Sequence, residues 1–100
     1  MAKITRAAAQ KMLADVPADK LFWCRDGREF KNLQELSAAF QEMSDVTFRY
    51  HANEQKNDFS NWVKDVIGDE QLAQELSKCS NRNKAAKVVN KRIAVLKKAK

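Results

Sequence analysis

Glycine, proline and histidine are nearly missing from this 100-residue chain, which holds two, one and one of them. Many-turned β-sandwiches and long structureless loops need more breakers than that, whereas helices do not. A glycine-rich phosphate loop is excluded, because Gly27 and Gly68 stand alone. The lone His51 is too little for a zinc site unless Cys24 and Cys79 converge on it from distant positions. Those two cysteines form neither a C-x-x-C pair nor a dense disulfide framework. Both thiols are expected to pack as small hydrophobes in a reducing setting. No run approaches the roughly 18–20 apolar residues of a membrane span, and residues 1–20 lack the continuous apolar segment of a secretory signal. The expectation is a cytoplasmic protein with no transmembrane segment, no metal and no cofactor.

What the chain does have is charge, unevenly spread. Net charge is +6. Residues 1–20 hold four basic and two acidic side chains, and residues 21–80 hold seven basic and eleven acidic. Residues 81–100 hold eight basic and none acidic. An acidic body thus carries a basic end, an asymmetry that points to anionic partners. The length suits one domain with one core. We divide it into a short N-terminal helix or arm over 1–20, a hairpin and helical core over 21–80, and a basic helix over 81–100 belonging to the same domain.

Periodicity and turn chemistry place the elements. Residues 4–13 are strong helix formers with Thr5 as cap, and the helix should stop before Pro17. Residues 21–30 set large apolar side chains on either side of Asp26-Gly27, a dipeptide suited to a type I′ hairpin turn. Asn32 and Glu35 have the spacing of a capping box. Leu33, Leu36, Phe40 and Met43 then follow on one helical face. Over 45–53 the signals conflict: Val46, Phe48, Tyr50 and Ala52 alternate like a strand, yet Ser44 can cap a helix that brings Phe48, His51 and Ala52 to one face. Beyond an Asn57 or Asp58 cap, Phe59, Trp62, Val63, Val66 and Ile67 form a full apolar stripe. Gly68 ends that helix, and Asp69 caps the next, with Leu72, Ala73 and Leu76 inward. Ser80 to Asn83 reads as a polar break. From Lys84 to Lys100 a final helix groups Ala85, Val89, Ile93 and Leu96 on one side and Lys84, Lys87, Lys91 and Lys98 on the other. The fold class expected is mainly α: a small helical domain with a short β-hairpin in its N-terminal third and a basic amphipathic C-terminal helix.

The string F-R-Y-H-A-N-E-Q-K-N-D-F-S-N-W-V-K-D-V-I-G-D-E-Q-L-A, residues 48–73, resembles an uncharacterised family of short bacterial and archaeal domains. Their core reads F-x-x-H-x-N, then N-D-F-x-x-W-[IV]-x-D-V, then G-D-x-x-L-A. The likeness covers about 21–77 and leaves the first twenty residues and the basic end outside. It favours helix over 45–53. It implies no function and carries over no catalytic or binding residue.

Candidate chemistry is sparse. His51 is expected to bond a backbone carbonyl or a neighbouring helix cap and to anchor the loop 53–58. Asp58 and Asp69 stand at helix starts, where carboxylates satisfy free N–H groups. Asp65 can pair with Arg49 or Lys64. No nucleophile, base and orienter occur together, so an enzyme is not expected. Most of the eight aromatics lie on inward faces, with Trp23 or Phe22 partly exposed on the hairpin. The basic helix remains. Six lysines and two arginines over 81–100 suit non-specific phosphate contact better than base reading. The candidate nucleic-acid-binding residues are Lys84, Lys87, Lys91, Arg92, Lys97 and Lys98, with Lys3, Arg6 and Lys11 extending the patch if the chain ends meet. The expected partner is a nucleic-acid phosphate backbone. The alternative is a protein partner or self-association through the helix's apolar face, and the two differ in which face is free.

Overall fold

The computed structural model describes residues 4–100. The first helix, α1 (Arg6–Leu13), begins where Thr5 Oγ1 accepts a hydrogen bond from the Ala8 amide. A 3-10 turn (Ala18–Lys20) leads into a two-stranded antiparallel hairpin, β1 (Phe22–Trp23) and β2 (Glu29–Phe30), with Phe22 opposite Phe30. Four helices follow with short links: α2 (Leu33–Glu42), α3 (Asp45–His51), α4 (Asp58–Trp62, continued by a π-helical turn Val63–Ile67) and α5 (Glu70–Ser77). The longest, α6 (Arg82–Ala99), closes the chain. Helix thus holds over Asp45–His51, and Ser44 accepts the Thr47 amide as its cap.

Short polar side chains start these helices. Asn32, Asn57, Asp69 and Asn81 each accept from the amide three residues on, which satisfies one of the free N–H groups of a first turn. Asn57 rather than Asp58 is the cap of α4. Glu35 closes its box on the Lys31 amide, one residue before the cap. Helix α6 starts at Arg82, inside the stretch Ser80 to Asn83 that reads as a polar break, because Asn81 caps it.

Two local geometries differ from the sequence expectation. The hairpin turn is not type I′, since Gly27 has φ +97° but no non-glycine residue has positive φ among those described. The Gly27 amide donates to the Cys24 carbonyl and the Cys24 amide to the Arg28 carbonyl. That is a three-residue loop with glycine in the left-handed position, which relieves Asp26 of positive φ. The stripe from Phe59 to Ile67 also leaves regular α geometry. The amides of Gly68 and Asp69 both reach back to the Val63 carbonyl, a wider turn than the α-helix, and Val66 is only half-buried.

Aromatic rings fill the centre. Phe22, Phe30, Phe40, Phe48, Phe59 and Trp62 are all buried. Phe59 sits 4.9 to 5.6 Å from the rings of Phe40, Phe22 and Phe48, the separation of favourable ring pairs. Trp62 Nε1 donates to the Lys20 carbonyl and so ties the hairpin's lead-in to α4. Helix α6 packs against α1, α2 and α5. Ser37 of α2 bonds Asn90 of α6 across that contact. The radius of gyration, 12.7 Å, is what roughly 100 residues occupy as one body, about 13 Å.

Candidate nucleic-acid interface

The basic helix presents two chemistries on two faces. Ala85, Val89, Ile93 and Leu96 are buried, covered by α1, α2 and α5. A partner docking on that apolar face would first have to displace them. Lys84, Lys87, Lys91, Lys97, Lys98 and Lys100 are exposed. None of them forms an ion pair among the described residues. The four lysines of the predicted stripe, Lys84, Lys87, Lys91 and Lys98, recur at helical spacing opposite the buried face. At a rise of about 1.5 Å per residue they extend over roughly 21 Å. Lys97 stands to one side of that row, in the last turn with Lys98, where cations also suit the helix dipole.

Arg92 leaves the predicted set. Its side chain is 8% exposed and Asp69 is 1% exposed. Arg92 Nε donates to Asp69 Oδ2 at 2.7 Å and Nη2 to Oδ1 at 3.1 Å. Asp69 therefore does more than cap α5: it is a buried carboxylate neutralised by a fork of guanidinium donors. The signal was in the spacing. Arg92 lies three residues after Val89 and four before Leu96, on the buried side of the helix. Arg82 is likewise structural. Its Nε donates to Asp45 Oδ1 at 2.8 Å, and its Nη1 reaches the carbonyls of Phe40 and Gln41 at the end of α2. Both arginines of α6 thus hold the fold, and all six of the lysines over 81–100 are left to the solvent.

The N-terminal cations partly join them. Helix α1 packs on α6, and Arg6 and Lys11 are exposed without ion pairs among the described residues. Lys3 lies outside the described residues. Asp65 is exposed and pairs with neither Arg49 nor Lys64.

His51 is buried and fully used. Its Nε2 accepts from the Arg25 amide at 3.0 Å, and Nδ1 lies 2.9 Å from Asp58 Oδ2. The ring therefore carries its proton on Nδ1 and clamps the hairpin to the start of α4. Asp58 also accepts from Lys56 Nζ at 3.0 Å. Burial works against its charge, but the hydrogen bonds from His51 and Lys56 outweigh that and hold the carboxyl below its usual 3.8. Among the described residues, no three His, Cys, Asp or Glu side chains gather closely enough to hold a metal ion. Cys24 and Cys79 are free thiols, both pushed up by burial. Trp23, at 70% exposed, is the aromatic left on the hairpin surface, while Phe22 is buried.

Residues 46–98 match a family of unknown function (DUF5752). The chain belongs to this family. The match runs from α3 through nearly all of α6, so the basic helix is part of the family's domain, whereas the hairpin and α2 fall outside it. No curated protein and no solved structure matches the chain. Among the described residues, no helix is long and apolar enough to cross a membrane.

Sequence reasoning missed a depression of about 590 Å³ whose lining includes Arg49 and Lys78. Those residues sit on separate elements with no shared motif, so nothing in the linear pattern joins them.

Proposed function

We propose that this protein is a non-enzymatic nucleic-acid-binding module of the cytoplasm that contacts phosphates without base preference through the lysine row of α6. The observation that carries this is the division of labour on one helix. The apolar face and Arg92 are buried and Arg82 is held in a surface pair with Asp45, while six lysines are exposed and unpaired among the described residues. Lysine is a compact point charge suited to phosphate, and the arginines that would read bases are occupied. Duplex DNA carries a charge about every 1.7 Å of axis with both strands counted, so about 21 Å of duplex holds roughly a dozen phosphates, of which a row on one side needs to meet four. The exposed apolar side chains on this face are aliphatic, with Val95 and half-buried Val88 and no aromatic, which is poor material for insertion into a lipid surface. Two free thiols suit a reducing compartment.

The test is fluorescence anisotropy with a blunt duplex over a range of salt. Four lysines neutralising one phosphate each give a slope of log K against log salt of about −3.6. Replacing Lys84, Lys87, Lys91 and Lys98 by alanine removes binding. A slope near zero, or undiminished binding by that variant, refutes the proposal.

A further inference from the structure

His51 meets two different kinds of partner, and only one of them tolerates a second proton on the ring. Nδ1 lies 2.9 Å from Asp58 Oδ2 in the first turn of α4, and Nε2 lies 3.0 Å from the Arg25 amide in the hairpin turn. A backbone amide can only donate, so the neutral ring holds its hydrogen on Nδ1 and a lone pair on Nε2. Imidazolium donates from both nitrogens. It keeps its bond to the Asp58 carboxylate and sets an N–H against the N–H of Arg25. The hairpin contact is therefore the one that an added proton breaks.

The surroundings fix which side gives way. The ring is buried, edge-on to Phe22 at 5.2 Å and tilted at 5.4 Å from Phe59. The charged and titratable groups around it are Asp58 from α4, Lys56 from the preceding loop, Arg25 from the hairpin and Tyr50 from α3 itself. Arg25 and Lys56 lie 4.4 and 4.7 Å from the centre of the Tyr50 ring. A charged imidazole adds a third cation to that corner, beside one carboxylate. The turn has few other anchors. Each strand of the hairpin is two residues long, too short to stand alone. Phe22, Cys24 and Phe30 are buried at its base. Beyond Cys24, among the described residues, the remaining polar ties to the body are the exposed Arg28–Glu42 pair and Arg25 over Tyr50.

We infer that His51 is an acid-sensitive latch: when its ring takes a second proton, residues 25–28 come away from α3 and α4, while the aromatic core and the Asp58 contact stay in place. The latch is independent of the phosphate-binding role of α6.

Nitrogen-15 NMR of the full chain tests it, titrating downward from about pH 8 through the range where histidine ordinarily changes charge. Asp58 stays ionised there, because its carboxyl is held below 3.8. At the alkaline end the ring signals should show hydrogen on Nδ1, with the Arg25 amide protected from exchange. As the ring gains its second proton, protection at Arg25, relative to an unfolded chain at the same pH, should fall about tenfold, the strength of one hydrogen bond. The two changes share a midpoint, and the amides of α2 and α6 keep their protection. In His51→Gln, shown by thermal melting to be folded, protection at Arg25 no longer depends on pH. An Arg25 amide that stays protected against a charged ring overturns the latch. So does a ring that stays neutral until the whole domain unfolds, or protection lost at Arg25, α2 and α6 together. Acid loss at Arg25 that persists in folded His51→Gln overturns it as well. Where that variant does not fold, the titration of the natural chain decides.

Discussion

Replacing Arg92 by alanine should strongly destabilise this protein while leaving the folded state's affinity for phosphate untouched. The guanidinium holds both oxygens of a carboxylate that is 1% exposed. Without it, Asp69 keeps only the Leu72 amide as a partner. Removing one member of a buried pair strands the other charge and costs about 3–5 kcal/mol. Whole-domain stability is about 5–15 kcal/mol, so the loss is a large share of it. For a domain of this size it lowers the melting temperature by at least about 12 °C. Urea denaturation and thermal melting read the loss. A matched control is Lys91→Ala, one residue earlier on the exposed face, which should change stability by less than about 0.5 kcal/mol. The double variant Asp69→Asn/Arg92→Met should recover most of the loss, because asparagine keeps the cap and no charge is buried. If Arg92→Ala costs no more than Lys91→Ala, or weakens duplex binding by the folded fraction, the side chain belongs to the surface and the assignment is wrong.

Local geometry sets two further expectations. Asp58 titrates below its ordinary 3.8 in the folded state, so it adds stability above that value, and the contribution disappears as pH falls through the lower folded value. Carbon-detected NMR of the Asp58 carboxyl should show the depressed midpoint, and Lys56→Ala should move it upward; a midpoint at or above 3.8 in the native protein contradicts the pairing. Gly68 has φ +85°, and a Cβ there would meet nothing within 4 Å, so Gly68→Ala should cost about 1–2 kcal/mol from backbone conformation alone; chemical denaturation showing no loss would mean the turn relaxes out of the left-handed region.

Much of the architecture is legible in the sequence because caps and periodicity are local. Thr5, Asn32, Ser44 and Asp69 cap helices as their positions imply, and Leu33, Leu36, Phe40 and Met43 all point inward. Features that depend on one backbone angle or one extra residue per turn are not legible. Asp26-Gly27 satisfies both a two-residue turn and the three-residue loop that forms, and an apolar stripe does not reveal that its last turn widens after Trp62. The candidate interface divides in the same way. Charge counting finds the lysine row but takes Arg92 with it, because composition ignores angular position, and the buried carboxylate that claims Arg92 lies 23 residues away. The depression joining Arg49 to Lys78 exists only once α3 and the turn after α5 are packed together.

The lysine row itself is tested by separating its geometry from net charge. Lys84→Ala/Lys87→Ala/Lys91→Ala and Lys20→Ala/Lys31→Ala/Lys64→Ala remove the same charge from exposed positions, the first set from one face of α6 and the second from elsewhere. Duplex binding at low salt, measured by anisotropy, should be strongly weakened in the first variant with its salt slope shallower by about 2.7, and nearly kept in the second. Equal losses in both would mean that bulk charge attracts the duplex and that α6 has no special role.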